Sequence, residues 1–506
     1  MKIQNPIIRG FYPDPSICEA NGKYYVVCST FQFFPGVPIF ESEDLINWKQ
    51  VGNCLTRLSQ VELHQIPSSG GVFAPTLRYY DGTFYMVTNN NTFGKNFYIS
   101  TKDITGEWSE PIFVDQEGID PSLLFDNGKV YFTSNGTYEG KGCIMQCEID
   151  INTGEKLTET VPIWIGNGGR YLESPHLYHI GKYYYLFAAE GGTEYGHMIT
   201  YARAEKPFGP FESYAGNPLL TNRNVGGNEN LIQGIGHGDL IQYKDGNYYI
   251  ICLGFRQNGI WSPFHHLGRE VFLAPVFIDD NGWIFAKENG QVNEWVDTSI
   301  ETSLPSSDRY NISFENTDLS DFRWMYIRDY KADNYRFENH KLILKGTEID
   351  LNKADTPTFV GIRQSEFYTD LSVVVNSQAK EAGVTFYMDE QQHYDLFVYN
   401  DAPKEKCEVR LRIRVGDAES INGRIVLEDT DYEGGIKLHI VSTNEEYSFY
   451  VVTASGEIHL GSAKCKYLSS EVAGGFTGVL MGLYAVDNNG QQAVFSELAW
   501  VQKNAN

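Results

Sequence analysis

Over the first 300 residues, apolar and polar positions repeat one pattern five times: "DPSICEANGKYYVV" from Asp14, "APTLRYYDGTFYMV" from Ala74, "DPSLLFDNGKVYFT" from Asp120, "SPHLYHIGKYYYLF" from Ser174 and "HGDLIQYKDGNYYII" from His237. Each copy has a short head and an apolar residue (Ile17, Leu77, Leu123, Leu177, Leu240). A turn glycine follows (Gly22, Gly82, Gly128, Gly181, Gly246), and then an aromatic, β-branched run. Four of the five turns are Asn-Gly or Asp-Gly, which accept positive φ at both central positions of a type I′ hairpin, so every copy predicts a hairpin. The glycines recur at intervals of 60, 46, 53 and 65 residues. That is the span of a four-stranded sheet with its loops, and it predicts a five-bladed β-propeller over residues 1–301. A β-sandwich would repeat its turns about every 8–12 residues and without a shared head.

The pattern changes after "WVDTSIETSLPSSDRY". The polar, Pro-containing stretch 302–309 reads as a linker, and 310–506 as a second β domain. "KCEVRLRIRV" (Lys406 to Val415) and much of "GGIKLHIVSTNEEYSFYVV" alternate, which predicts strands with one wet face in a two-sheet sandwich. The whole chain is therefore expected to be all-β.

If each head opens the innermost strand of its blade, the five heads meet at one end of the central channel. They bring Asp14, Ala74, Asp120, Glu173 with Ser174, and His237 together. An Asp before Pro is ordinary turn chemistry. Acids at three equivalent positions are costly, because each raises the others' pKa, and such a cluster usually has a use. Composition narrows that use. With 40 basic against 65 acidic residues, a net charge of −25 repels nucleic acid and anionic membranes. The 14% aromatic content suits sugars, whose C–H faces stack on rings. No apolar run is long enough to span a membrane, and strand-like sequence begins within twenty residues, so a cytoplasmic address is expected. The eight cysteines show no paired metal-ligand spacing and read as buried free thiols.

Two carboxyls facing across a pocket are the equipment of glycoside hydrolysis. The segments "FYPDPSI", "EGIDPSLLFDNGKVYF", "GRYLESPHLY" and "QGIGHGDL" together resemble the family 43 glycoside hydrolases across the whole propeller. The likeness is to their β-xylosidase and α-L-arabinofuranosidase branch, including its appended C-terminal concanavalin-like β-sandwich. The resemblance implies an inverting mechanism, with Asp14 as general base, Glu173 as general acid and Asp120 as the third acid that tunes Glu173 and holds it in place. Inversion asks for roughly 6.5–9.5 Å between base and acid.

By the same resemblance, His237 matches an axial histidine that in some members helps to hold a calcium ion. A channel histidine without metal is the alternative, and no cofactor is required. Arg269 in "HHLGREVFLAP" resembles the arginine that bonds the sugar in the first pocket, Phe31 in "STFQFFPG" resembles its aromatic wall, and Thr193 in "EGGTEYGH" a further contact. Phe73 departs from the pattern, because β-xylosidases of the branch it resembles usually carry Trp before the "AP" head of the second blade. In the second domain, "GGFTGVLMGLYA" resembles a loop that pushes an aromatic into the neighbouring pocket, which makes Phe476 a candidate lid, with sandwich core as the alternative. "GNGGRY" reads as a loop placing Glu173, and His265 and His266 of "FHHLG" read as pocket-rim or surface residues.

The expected activity is an inverting exo-glycosidase that releases a terminal pentose, β-D-xylose first and α-L-arabinofuranose second, from xylo-oligosaccharides or arabinoxylan fragments. The alternatives are a dedicated α-L-arabinofuranosidase and a non-catalytic carbohydrate-binding propeller. A homo-oligomer is left open.

Overall fold

The computed structural model describes all residues except 227–228, 303–310, 401–406, 429–433 and 504–506. Each of the five hairpins forms the inner pair of a four-stranded antiparallel meander. Blade I runs through Ser16–Ala20, Lys23–Val27, Gly36–Ser42 and Lys49–Leu55, and blade II through Thr76–Tyr80, Thr83–Asn90, Lys95–Thr101 and Ile112–Val114. Blade III comprises Ser122–Asp126, Lys129–Tyr138, Lys141–Ile149 and Val161–Trp164, and blade IV comprises Glu173–Ile180, Tyr183–Glu190, Met198–Ala204 and Glu212–Ser213. Ile232–Gln242, Tyr248–Arg256, Glu270–Ile278 and Ile284–Ala286 make blade V. The ring is fastened by Lys2–Gln4 pairing with Trp295–Asp297. Asn5 adds to the closure, exchanging side-chain hydrogen bonds with the backbone of Leu273 and donating to the carbonyl of Asn293.

The expected linker, 302–309, lies outside the described residues except for Thr302, whose hydroxyl donates to Asp44. From Asn311 the chain builds one eight-stranded and one six-stranded sheet packed face to face. Their inner faces share Val384, Phe386, Leu396, Leu411, Leu438 and Phe449 among a larger apolar core. No helix among the described residues is long and apolar enough to cross a membrane.

The six-stranded sheet corrects the expectation of one wet face. Its outward residues Phe359, Tyr387, Phe397 and Tyr484 pack in one cluster with Phe11, Phe31, Phe33 and Phe73 of the propeller. Among the charged residues that alternate with its core positions, Arg412 is buried and paired with Asp395 and Glu381, and Tyr484 donates to Glu381. Alternation reported a polar face correctly; the propeller covers the sheet where Phe359, Tyr387, Phe397 and Tyr484 stand, whereas Arg410 and Arg414 of "KCEVRLRIRV" keep partial contact with water.

Two further features lock the domains together. Phe33–Phe34 pairs with Tyr326–Ile327 across the boundary. Beside it, Glu366 of the sandwich accepts from Arg9 and from Arg256 Nη1, while Arg256 also forks onto Glu270 at 2.8 Å through Nε and Nη2. All four groups are withdrawn from water, so each charge depends on its partners. Glu366→Gln should therefore destabilise the chain by about 3–5 kcal/mol, the range for breaking a buried pair, as measured by denaturant unfolding. A loss within the range of a surface pair, under about 1 kcal/mol, would show that the seam does not depend on this network.

Candidate active site

Four of the five heads share an unusual backbone. Asp14, Asp120, Ser174 and His237 occupy equivalent places and all have left-handed φ, of 56°, 55°, 57° and 46°. A non-glycine residue held there costs on the order of 1–3 kcal/mol, and such strain gathers at functional sites. The turn re-aims each head side chain just before its strand begins. Phe31, with φ 51°, is held in the same region by backbone hydrogen bonds in both directions with Val72.

Asp14 is buried and fully engaged. Ser29 Oγ donates to its Oδ2 at 2.6 Å and Arg269 Nη1 to its Oδ1 at 2.9 Å, with His237 Nδ1 at 3.7 Å. Burial alone would raise its pKa, but the charges of Arg269 and His237 and the Ser29 hydrogen bond outweigh burial and hold the carboxyl below its ordinary value. The same Arg269 Nη1 donates to Thr193 Oγ1 at 2.9 Å.

Glu173 behaves in the opposite way. Half-buried, with no hydrogen bond to its carboxyl from the described residues, it is pushed up to about 7, first by burial and then by the negative charge of Asp14, with Arg269 opposing. Asp120 is raised well above its ordinary value by burial, then by Glu173 and Asp14. Asp120 Oδ2 accepts the backbone N–H of Ser174 at 2.9 Å and so grips the residue next to Glu173. The loop 166–171 that delivers Glu173 is stapled in turn by the buried carboxylate of Glu190, which accepts from the N–H groups of Asn167 and Gly169.

The aromatic residues predicted separately meet at one place. Phe476 stacks on Phe31 at 5.1 Å between ring centroids and meets Phe73 edge-on at 5.4 Å. The guanidinium of Arg269 lies 5.0 Å from the Phe476 ring centre and 5.7 Å from that of Phe31. Phe476 thus packs on the propeller wall and not inside the sandwich core. Its backbone N–H donates to Ser69 Oγ at 2.8 Å. His265 and His266 belong to this arrangement, which corrects their reading as rim or surface residues. Both are buried at the domain seam, and their carbonyls accept from Ser470 and Val479, at the two ends of the loop that carries Phe476.

The sequence reading missed a second layer in the channel. Asp239 accepts from Ser16 Oγ, from the N–H of Ile17 and from Tyr178, and pairs with Arg78 at 2.8 Å. Arg78 Nη2 also lies 3.0 Å from His176 Nδ1. These side chains come from blades I, II, IV and V and tie the innermost strands together. A signal was present, because Ser16, His176 and Asp239 stand two residues after the heads Asp14, Ser174 and His237. Ser29, which donates to Asp14, carried no such mark.

A calcium site at His237 does not fit these residues. Among the described residues no group of three or more His, Cys, Asp or Glu side chains is placed to hold a metal ion. The carboxylate nearest to His237 is already paired with a guanidinium.

The comparisons agree with this geometry. Residues 3–284 match the model of glycosyl hydrolases family 43, and residues 311–502 match that of the β-xylosidase C-terminal concanavalin A-like domain. A non-reducing end α-L-arabinofuranosidase of Bacteroides ovatus is 38% identical, over 96% of this chain and 92% of its own. A xylan 1,3-β-xylosidase of a Vibrio species is 39% identical, over 97% of each chain. The crystal structure of a xylan β-1,4-xylosidase from Bacillus halodurans superposes with a TM-score of 0.91 at 28% identity, covering 99% of this chain and 100% of its own. A propeller with three acids at its mouth, closed by a sandwich aromatic, thus meets both family models in order along the sequence, and the chain belongs to glycosyl hydrolases family 43.

Proposed function

We propose that the protein is an exo-acting, inverting glycosidase that releases a terminal pentose, β-D-xylose first and α-L-arabinofuranose second, from short xylan-derived oligosaccharides. The observation that carries this reading is the unequal setting of two carboxyls at one mouth: Asp14 is paired with Arg269 and Ser29 and kept ionised, while Glu173 has no hydrogen bond from the described residues and is raised to about 7, so that it keeps its proton below neutrality. That is the division of labour in which a base activates water and an acid protonates the leaving oxygen. Asp120 acts as the positioning acid through Ser174. Arg269 Nη2, Ser174 Oγ and His197 Nε2 are buried without hydrogen-bond partners among the described residues, and they supply polar contacts for sugar hydroxyls. Phe31, Phe73 and Phe476 supply the apolar wall. A carbohydrate-binding propeller without catalysis has no use for two carboxyls poised in opposite states.

Phe73, a departure from the Trp that the resemblance to β-xylosidases leads one to expect, and the arabinofuranosidase named among the relatives favour a second reading, a dedicated α-L-arabinofuranosidase. Rates on the aryl β-xyloside and aryl α-arabinofuranoside, measured side by side, decide between them. A cytoplasmic address remains part of the proposal, and the eight unpaired cysteines favour a reducing compartment.

Proton NMR of the first sugar released from a β-xyloside should show the α-anomer, and Asp14→Ala should lower kcat by about 10²–10⁴-fold even with a good leaving group. Initial β-anomer would mean retention and would remove Asp14 from the role of base.

The pH profile follows from the two shifts. Asp14 is ionised throughout the neutral range, so the acidic limb of kcat/KM lies below the ordinary carboxylate region. Glu173 loses its proton as pH rises through about 7, so the rate falls above that value. In Glu173→Gln, the alkaline limb should vanish and activity should survive better on activated aryl substrates than on xylobiose. A limb that persists unchanged in this variant belongs to another group.

Phe476→Ala should raise KM for a disaccharide by about 3- to 10-fold, the worth of a lost stacking contact, with little change in Tm. A fall of several degrees in Tm with unaltered kinetics would make Phe476 a packing residue only.

A further inference from the structure

A second cleft, of about 530 Å³, opens between the N-terminal segment, the outer strands of blade I and the sandwich. None of the acids described above lines it. In a chain of net charge −25 its lining carries four cations, Arg9, Lys49, Arg323 and Arg363, against one carboxylate, Asp321. Two of these cations are matched, Arg9 by Glu366 and Arg323 by Asp321. Arg363 is not. It is 2% exposed, has its guanidinium carbon 4.3 Å from the centre of the Tyr12 ring, and among the described residues pairs with no carboxylate and has no hydrogen-bond partner for its Nε. Burial lowers its pKa from the usual arginine value, and the groups that oppose this are Tyr12 and Cys28 rather than an acid.

A buried guanidinium without a counter-ion is expensive, and a planar fork is the group that best receives a carboxylate edge-on. Gln50 presents a second unmet need in the same cleft, since its Oε1 is buried without a donor among the described residues while its Nε2 is spent on the carbonyl of Phe322. Around these two groups the walls are apolar, formed by Ile7, Ile8, Phe40, Val51 and Ile312. One fork for an anion, one acceptor for a hydroxyl and apolar sides in a space of small-molecule size describe a ring that carries both a carboxylate and hydroxyls. We propose that this cleft binds a carboxylate-bearing sugar, a hexuronate alone or at the end of a short oligosaccharide, through Arg363 and Gln50. Binding there would brace the sandwich against the propeller.

Calorimetric titration of the full chain with D-glucuronate, D-glucose and inorganic phosphate tests this. Glucuronate should bind saturably and glucose should not, and Arg363→Met should weaken glucuronate at least 10-fold. Because that variant removes an unpaired buried charge, its Tm should be equal to or above that of the native chain. Should it fail to fold, Gln50→Met weakens glucuronate several-fold by the same logic, and saturating glucuronate should raise the Tm of the native protein. Equal binding of glucose, or unaltered glucuronate binding in the variants, would overturn the proposal. Phosphate bound as tightly through Arg363 would make this a phosphate site instead. Competitive inhibition of aryl-xyloside hydrolysis at the binding concentration would place glucuronate at the acids and overturn it as well.

Discussion

The site depends on a backbone constraint: four heads that enter their strands through left-handed residues. A propeller brings its innermost strands together, but strands alone would send successive side chains alternately up and down the blade faces. The left-handed residue interrupts that alternation at the mouth and turns Asp14, Asp120, Ser174 and His237 toward the axis. The strain is tolerated because neighbouring groups over-determine each position. Asp14 is pinned by Ser29 and Arg269, and Ser174 by Asp120. Glu173 gains most from this, because a carboxyl with no hydrogen bond from the described residues is placed by the grip on the next residue. Below, the Arg78–Asp239 pair draws four blades together and gives the heads a fixed floor.

The sandwich has two tasks that one surface performs. Its six-stranded sheet covers the aromatic end of the propeller, and the loop between Ser470 and Val479 then lays Phe476 over Phe31. A loop of that length would wander if it were held only at its own domain. Hydrogen bonds to the carbonyls of His265 and His266 and to the Ser69 hydroxyl fix it from the propeller side. The buried network of Arg9, Glu366, Arg256 and Glu270 keeps the two domains in register, so the position of one aromatic wall is set by charges that never touch the pocket.

Much of this was legible in the sequence, because repetition made it so. The five hairpins, the ring and the three acids followed from a grammar in which turn glycines and heads recur at matching places. Arg269, Phe31 and Phe476 were reached through family likeness, and the structure brings all three together. What the sequence concealed is what depends on partners far along the chain. Nothing in "FHHLG" announces that a segment two hundred residues later will cover it, and alternation in "KCEVRLRIRV" reports polarity without saying what the polar face meets. Asp239 and Arg78 were hidden differently. They stand inside the repeat beside the compared apolar positions, Asp239 just before Leu240 and Arg78 just after Leu77.

The opposite states of Asp14 and Glu173 trace to one asymmetry. Three acids face a single nearby guanidinium, so all three cannot be ionised at moderate cost, and the question is which of them the cation serves. Arg269 Nη1 sits 2.9 Å from Asp14, and Ser29 and His237 crowd the same carboxyl, so Asp14 keeps the negative charge. Once ionised, Asp14 becomes a fixed charge that raises both Glu173 and Asp120. The proton is thereby confined to the pair that lacks a salt bridge. Within that pair Asp120 is committed to a backbone N–H, whereas the Glu173 carboxyl has no partner from the described protein groups and is free to meet a leaving oxygen. In the proposed division of labour, base and acid are thus distinguished by where one arginine points, and the distinction needs no intrinsic difference between the carboxyls.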